Sequence, residues 1–334
     1  MTKWFENCYS TDNVTISSRI RLARNIKNYP FPNIMTKSQI NDLNEFIIAA
    51  IKSDESVAFK EFNLIELNSL KEIEILSLIE RKIISPEFLL EKENKIIFLS
   101  NDENISIMIG GEDHIRISAI ESGSDFETLY KKIDEVDNAL SEILPIAFDE
   151  VLGYLTECPT ELGTGMKASV LLHLPALKIQ DEISSISDSV SKIGLAITPF
   201  DSGENTSSIY QISNNVTMGI SEKTAIENLR AVTSQIVARE NNARYSLDRI
   251  TLEESINIAL NGLKNSDKLD FDSAIDLLSK VKLGIDLGII EGISHHLPFM
   301  LMINTKPNTL KLSLKDVKKD INIIRAEYIK RYLN

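Results

Sequence analysis

Three short runs rich in β-branched residues constrain the fold more than any other feature of the chain. The runs are KIIFLS (95–100), ISIMIGG (105–111) and HIRISAI (114–120), and only a few turn-forming residues separate them. Runs of this length and spacing are typical of an antiparallel meander. The segment that follows, 126–143, repeats its apolar residues at helical spacing. The sequence therefore predicts a mixed sheet-and-helix fold of the α+β class.

Further patterns extend this layout along the chain. They predict strands over 14–24, 168–174, 193–198, 207–213 and 215–219, and helices over 38–52, 64–84 and 222–246, the last with Ser221 as N-cap. The helix over 64–84 should end before Ser85-Pro86, because the residue before a proline disfavours helical geometry. After residue 247 the patterns are helical only, over 251–263, 271–281 and 313–333. We predict two domains, 1–247 and 248–334.

The composition excludes several classes of function. The 334 residues carry 36 Lys and Arg against 49 Asp and Glu, a net charge of −13. A surface this acidic argues against direct binding of nucleic acid or of an anionic membrane. The N-terminus lacks the apolar stretch of a secretory signal, and the longest apolar run, FIIAAI (46–51), is too short to span a membrane. Two cysteines, Cys8 and Cys158, make no disulfide framework, so we expect a cytoplasmic protein.

The first candidate for chemistry is SSRIR (17–21). On a strand, Arg19 and Arg21 point to the same face, and two adjacent guanidiniums repel each other unless an anion lies between them. Their planar forks suit phosphate oxygens. The alternative is an ordinary solvated strand face with scattered arginines.

The second candidate is GGEDHIR (110–116). If residues 112–116 are extended, Glu112, His114 and Arg116 share one face, with the Cα atoms of Glu112 and Arg116 roughly 13 Å apart. A carboxylate and a guanidinium that converge on one pocket suit transfer of a phosphoryl group to a basic acceptor. The alternatives are a hairpin turn with exposed charges and a buried, structural His114.

The third candidate is CPTELGTGMKASV (158–170), which combines a thiol, a glycine-rich loop and Lys167. It contains neither GxxxxGK[ST] nor a strand-linked GxGxxG, so it is not a standard nucleotide motif. The glycines would allow close backbone approach to a ligand. The alternative is a buried, inert cysteine before an ordinary turn.

Together, SSRIRLARN (17–25), EDHIR (112–116) and CPTELGTGMKASV resemble the signatures of ATP:guanidino phosphotransferases, the family of creatine and arginine kinases. The resemblance is closer to the bacterial protein arginine kinases of the McsB type. It rests on four flanking segments, LGYLT (152–156), HLPAL (173–177), YQISN (210–214) and LGIDLGII (283–290). It implies a phosphagen-kinase-like catalytic domain, a twisted and mainly antiparallel sheet flanked by helices, and a C-terminal helical domain that mediates homodimerisation.

The resemblance also implies roles for individual residues. Glu112 would hold the acceptor guanidinium, Cys158 would lie beside it, and Arg325 and Ala326 would belong to a phosphoarginine-binding pattern. The residues that match nucleotide-binding positions are Ser17, Ser18, Arg19, Ile20, Arg21, Arg116, Lys167, Ala168, Ser169, Val170 and Leu171. The implied reaction moves the γ-phosphoryl group of ATP, with Mg²⁺, onto arginine side chains of proteins. The implied partners are a heat-shock repressor as substrate, a zinc-finger activator protein and a Clp ATPase or protease.

The chain departs from the family pattern at several positions. Where the family has Asn-Glu-Glu-Asp-His, this chain has Gly110-Gly111-Glu112-Asp113-His114. Glu161 replaces an asparagine, and Lys167 and Thr198 replace phosphate-binding arginines. Lys82 replaces a histidine near the adenine, and only Arg325 and Ala326 remain of an RDxxRA pattern. Two hypotheses follow: an active protein arginine kinase, or a catalytically weak or inactive relative that acts as a binding or scaffold protein in the same stress-response complex. A kinase of small guanidino compounds is a third.

Overall fold

An antiparallel sheet of eight strands organises the chain. The computed structural model describes residues 3–6, 12–54, 57–89, 94–200, 207–314 and 319–333. The strands are β1 (Thr15–Arg24), β2 (Phe62–Glu66), β3 (Ile96–Ser100), β4 (Ile105–Ile109), β5 (Ile115–Ser122), β6 (Phe148–Asp149), β7 (Gly153–Tyr154), β8 (Met166–His173), β9 (Leu195–Pro199) and β10 (Ile209–Asn214). The sheet order is β2-β3-β4-β5-β1-β8-β10-β9, and β6 and β7 form a separate hairpin.

Eleven helices accompany the strands in the described ranges. They are α1 (Lys37–Ser53), α2 (Glu72–Glu80), α3 (Phe126–Ile143), α4 (Pro175–Ile179), α5 (Ile183–Ser191), α6 (Glu222–Ser246), α7 (Arg249–Asn265), α8 (Phe271–Asp286), α9 (Leu297–Asn304), α10 (Pro307–Leu312) and α11 (Ile321–Leu333). Ser221 is the N-cap of α6, as predicted, and accepts a hydrogen bond from the backbone of Thr224. The predicted α+β class is confirmed.

Two of the predicted elements are wrong in part, and a third, the strand over 215–219, is wrong altogether. Residues 62–66 are an edge strand rather than the start of a helix, and α2 ends at Glu80, where Lys82 adopts a positive φ of 63°. Residues 215–219 form no strand, because the chain turns at Gly219. The helical stretch predicted over 313–333 begins only at Ile321 in the described ranges.

The two faces of the sheet have different environments. One face, with Ile20, Ala168 and Val170, contributes to an apolar core that also includes residues of α1, α3 and α6. On the opposite face, Ile120 and Leu171 pack into a second core formed mainly by the helices after residue 247. The C-terminal helices therefore cover one end of this second face. No helix of the described part of the chain has the length and apolar character of a membrane span.

Candidate active site

Strand register brings the predicted cations together at the centre of the sheet. β1 pairs with β8 so that Arg21 lies opposite Lys167 and Arg19 lies opposite Ser169. On the other side of β1, Arg116 of β5 lies opposite Ala23. Because directly paired residues share a face, all these side chains project from the face that the C-terminal helices only partly cover.

The cations repel one another in a partly desolvated place. Burial and the guanidiniums of Arg21 and Arg116 lower the pKa of Arg19 to about 9. Burial and Arg116 lower the pKa of Arg21, and burial and Arg21 lower the pKa of Lys167. Nη2 of Arg19 is shielded from solvent and has no hydrogen-bond partner among the described residues, whereas its Nε donates to Oγ of Ser118 at 3.0 Å. A polyanion such as a phosphate chain would relieve this repulsion and satisfy the free donor.

Arg116 joins the cationic face to a group of carboxylates. Its Nη2 donates to Asp113 at 3.1 Å and to Glu112 and Glu161 at 3.3 Å each. Burial alone would lower the pKa of Arg116, but the charges of Glu161, Asp113 and Glu112 together raise it. The site thus has a cationic side for an anion and an acidic side for a cation.

The extended geometry expected for residues 112–116 is wrong for 112–114, whereas Ile115 and Arg116 lie in β5. Residues 110–114 form a bend between β4 and β5, in which the backbone N–H of Gly110 donates to the carbonyl of His114 and Gly110 has φ +83°. The bend brings the Glu112 side chain directly onto Arg116. The Glu112 side chain is half exposed, at 49%, so it remains accessible to an acceptor.

Asp113 anchors the acidic side, although the sequence did not single it out. Its Oδ1 accepts from Nδ2 of Asn25 at 2.7 Å and from the backbone N–H of Glu157 at 2.9 Å, while its Oδ2 accepts from Arg116. Asp113 is almost fully buried. Its hydrogen bond with the backbone of Glu157 holds the 110–114 bend against the segment that leads to Cys158. The position of Asp113 beside Glu112 was the only signal in the sequence.

His114 has a structural role, which confirms one of the alternatives. Its Nδ1 accepts from the backbone N–H of Ile26 at 2.9 Å, so Nε2 carries the proton and donates to the carbonyl of Pro30 at 2.8 Å. Burial lowers the pKa of His114, which favours this neutral form. The ring fixes the end of β1 and contributes no free group to the site.

The loop after Cys158 is closed on itself and on the turn after β10. Sγ of Cys158 lies 3.0 Å from Oγ1 of Thr160, and Oγ1 of Thr217 donates to the carbonyls of Thr160 and Leu162. A Cβ on Gly163 would lie 2.4 Å from the carbonyl oxygen of Thr217. Only glycine fits at this position, because the two backbone segments pack too closely for a side chain. Cys158 is half-buried and has a free thiol, and Cys8 lies outside the described residues.

The remaining predicted nucleotide-binding positions separate by face. Ile20, Ala168 and Val170 are buried in the sheet core, and Leu171 is buried in the second core, so these four can contribute only backbone groups. Oγ of Ser18 donates to the carbonyl of Gly123 at 2.7 Å. Ser17, Ser169 and Arg19 line a small cavity together with Lys82, Phe200 and Gln211. Nζ of Lys82 lies 4.3 Å from the centre of the Phe200 ring.

Arg325 and Ala326 are not brought into this site. They are buried in α11, where Nε of Arg325 donates to the carbonyl of Thr305 at 3.0 Å and Nη1 to that of Leu269 at 2.9 Å. Their phosphoarginine-binding role stays a prediction. Thr198 lies exposed on β9, and residues 201–206 after that strand are outside the described residues.

Comparisons with known proteins show the family to which the chain belongs. The C-terminal catalytic domain of ATP:guanido phosphotransferases matches residues 31–243, and the chain belongs to this family. Residues 249–334 match the C-terminal domain of protein-arginine kinase McsB, so the chain is of the McsB type. It is 38% identical to a protein-arginine kinase of Clostridium acetobutylicum over the whole of both chains. It is also 38% identical to one of Caldanaerobacter subterraneus, over 96% of this chain and 97% of that one. The family inferred from the motifs is confirmed, and the domain boundary at 247/248 stays a prediction.

Solved structures confirm the fold independently. The duplicated taurocyamine kinase of Schistosoma mansoni superposes with a TM-score of 0.63 at 24% identity, over 72% of this chain and 36% of that one. Lombricine kinase gives a TM-score of 0.62 at 20% identity, over 74% of this chain and 73% of the other. The predicted phosphagen-kinase-like architecture is therefore confirmed.

Proposed function

We propose that this chain is a protein arginine kinase, which transfers the γ-phosphoryl group of Mg-ATP to arginine side chains of proteins. The observation that carries the proposal is the division of one site into the cationic side of Arg19, Arg21 and Lys167 and the acidic side at Glu112, with Arg116 between them. Phosphoryl transfer to a cationic acceptor requires both sides at once. The names of the full-length relatives, protein-arginine kinases, support the choice of acceptor.

In this proposal the chain acts mainly by positioning and charge neutralisation. Arg19, Arg21 and Lys167 hold the phosphates, and the developing charge of the transferred group falls on Arg116. Glu112 accepts hydrogen bonds from the acceptor guanidinium and takes one of its protons, which frees a nitrogen lone pair. That nitrogen forms a bond to phosphorus while the bond from phosphorus to the bridging oxygen of ADP breaks. Cys158 lies beside the acceptor and restricts its orientation.

Magnesium enters this reaction as part of the nucleotide substrate. The described residues contain no group of three or more His, Cys, Asp or Glu side chains placed to hold a metal ion. Mg²⁺ in nucleotide sites is commonly held by phosphates, water and only one or two carboxylates. We therefore propose that the protein recognises the Mg-ATP complex chiefly through the phosphates.

The cellular setting proposed here follows from the family. We propose a cytoplasmic homodimer that takes part in protein quality control under stress. Its substrates would be proteins with exposed arginines, a heat-shock repressor among them, and its partners a zinc-finger activator and a Clp ATPase or protease. The net charge of −13 argues against direct binding to nucleic acid or to an anionic membrane.

One observation favours a second candidate function, a weakly active or inactive scaffold. Glu161 places a carboxylate on Arg116 and among the cations that would hold the phosphates. This charge opposes nucleotide binding. The scaffold hypothesis predicts that Mg-ATP does not raise the melting temperature, since a ligand that binds only the folded state must stabilise it.

Labelled Mg-ATP and an arginine-rich protein test the proposal directly. We expect acid-labile phosphoarginine in the product, and Glu112→Ala should lower the rate at least about 100-fold because it removes the proton acceptor. Glu150→Ala, in the exposed turn of the β6–β7 hairpin, is the matched control and should retain the rate. Absence of phosphoarginine with and without an activator, together with no Mg-ATP stabilisation, would favour the scaffold.

A further inference from the structure

Three exposed apolar side chains lie beside the candidate active site and take no part in the proposed reaction. Ile193, just before β9, is 58% exposed, and Val216 and Met218, in the turn after β10, are 45% and 51% exposed. The backbone N–H of Asn215 donates to the carbonyl of Gly194 at 2.8 Å, which joins the two segments. A Cβ on Gly194 would lie 2.6 Å from Cγ2 of Val216, so that side chain lies directly against the residue after Ile193. We call these three side chains the apolar rim.

The turn that carries most of the rim is fixed to the loop of Cys158. Thr217, at the centre of the turn, is buried, and its Oγ1 donates to the carbonyls of Thr160 at 2.8 Å and Leu162 at 2.7 Å. Sγ of Cys158 lies 3.0 Å from Oγ1 of Thr160. Two contacts therefore link the turn to the thiol, a span that about three residues of extended chain can cover.

A cavity of about 320 Å³ connects the rim with the charged part of the site. Glu161 and Lys167 line it on one side, and Asn215 and Thr217 line it on the other. Asn215 and Thr217 are the neighbours of Val216 in sequence. The cavity and the apolar rim are therefore parts of one continuous surface.

The charges along this surface indicate which partner it suits. Glu161 lines the cavity and shares Arg116 with Glu112, so carboxylates border the rim. An exposed apolar surface beside carboxylates suits a partner that carries an apolar side chain close to a cation. A second copy of this chain is a poor match, because its net charge is −13 and like charges oppose association.

We propose that Ile193, Val216 and Met218 form a docking surface for the polypeptide segment that carries the acceptor arginine. On this surface they contact an apolar side chain of the segment, roughly two to four residues from the arginine. This inference rests on the proposed function and deepens it, because it assigns a preference for the sequence around the acceptor. Partial burial of an apolar side chain adds affinity that does not depend on charge, so arginines with apolar neighbours are favoured over isolated ones.

Two labelled peptides test this preference in the absence of nucleotide. Both are serine-rich with one central arginine, and one of them also carries leucine three positions before and three positions after the arginine. Fluorescence anisotropy with the full-length protein should show about fivefold tighter binding of the leucine peptide. Equal binding of the two peptides would overturn the proposal.

The leucine peptide with citrulline in place of arginine tests the link to the acidic side of the site. Citrulline keeps the shape of the side chain but is neutral, so the peptide loses its attraction to the carboxylates and should bind at least about fivefold more weakly. Unchanged binding would show that the surface takes apolar segments without regard to arginine, and it would overturn the assigned partner.

Substitutions in the rim locate the preference. Val216→Ser combined with Met218→Ser should abolish it, while affinity for the serine peptide stays within about twofold. Ile193→Ser, which changes a residue outside the turn, should by itself lower the preference at least about twofold. The matched control is Ile179→Ser: Ile179 is 63% exposed and belongs to α4, which follows the end of β8 opposite to Lys167, so the preference should remain.

Two further measurements on these variants make the result decisive. The melting temperature of each variant reports whether folding is intact. A preference that survives both the double substitution and Ile193→Ser would overturn the proposal. A lower molar mass of the double variant in light scattering would show that the surface joins two copies of the chain, and it would also overturn the proposal.

Kinetics separate this proposal from the proposed activity. With Mg-ATP, the leucine peptide should have about fivefold lower KM than the serine peptide, with kcat unchanged. Absence of phosphoarginine on both peptides would contradict the proposed function, whereas the binding preference, measured without nucleotide, would still support the docking surface. Phosphorylation of both peptides with equal KM and equal affinity would contradict only the docking surface.

Discussion

At the scale of single residues, Glu161 places a negative charge among the cations of the candidate site. Its Oε2 accepts from Nη2 of Arg116 at 3.3 Å, and its charge counteracts the lowering of the pKa values of Arg21 and Lys167. A nucleotide must displace this internal anion or bind beside it. Glu161 therefore reduces the repulsion among these cations, and in the proposed function it would weaken nucleotide binding.

We predict that Glu161→Asn tightens Mg-ATP binding about fivefold, which corresponds to roughly 1 kcal/mol for one partly exposed charge interaction. Calorimetric titration of nucleotide at low and at high salt measures it, and the gain should shrink at high salt because ions screen the interaction. Glu150→Asn is the matched exposed control. Weaker binding in Glu161→Asn would mean that Glu161 supports the nucleotide site rather than opposing it.

At the scale of elements, a buried network of charges joins the sheet to the helices on both sides of the predicted domain boundary. Arg244 of α6 donates to Glu240 at 2.7 Å and to Asp286 of α8 at 3.3 Å. Glu240 also accepts from the backbone N–H groups of Ala176 and Leu177 at the start of α4. Burial raises the pKa of Glu240, although Arg244 and these amides counteract it, so the carboxylate depends on its partners.

We predict that Arg244→Met lowers the free energy of unfolding by about 3 kcal/mol, because it leaves the buried carboxylate of Glu240 without its cation, whereas Asp286 keeps its ion pair with Lys282. Urea denaturation measures the change. Arg239→Met removes the exposed pair with Glu182, whose side chains are 45% and 40% accessible, and should cost less than about 1 kcal/mol. Equal losses in the two variants would show that the buried network contributes nothing beyond an ordinary surface pair.

The elements also show which parts of the fold a sequence can predict. β1 and α3 have strong period-two and helical patterns, and both were predicted to within one residue of their bounds. The helix α9 was missed because LPFMLMIN is apolar on every side and its core members, among them Phe299 and Leu301, leave no polar face to mark a period. The periodicity of apolar residues identifies amphipathic elements, but it does not reveal helices that are apolar on all sides.

At the scale of the whole molecule, the site arises from register between segments distant in sequence. The alternation of Arg19 and Arg21 was predictable because it is a local property of one strand. That Lys167 lies opposite Arg21, or that Asp113 accepts from the backbone of Glu157, depends on long-range pairing that no local pattern encodes. The motifs predicted which residues form the candidate site, but the bend that brings Glu112 onto Arg116 is visible only in the structure.

The surface of the C-terminal helices bears on the assembly of the molecule. Ile250 and Ile258 of α7 are 72% and 71% exposed and lie two helical turns apart, so they share a face. Tyr245, near the end of α6, is exposed as well. Large apolar side chains on one exposed helix face are typical of an interaction surface.

We predict that the protein is a homodimer that uses this face of α7, with a molar mass in light scattering of twice the 37.5 kDa of the chain. Ile258→Glu should yield monomers, because two buried carboxylates would face each other across a two-fold interface. Ile193→Glu, which changes a residue of the catalytic part that is 58% exposed, is the control and should leave the dimer intact. A wild-type monomer would contradict the assembly itself, and a dimer that survives Ile258→Glu would move the interface to another surface.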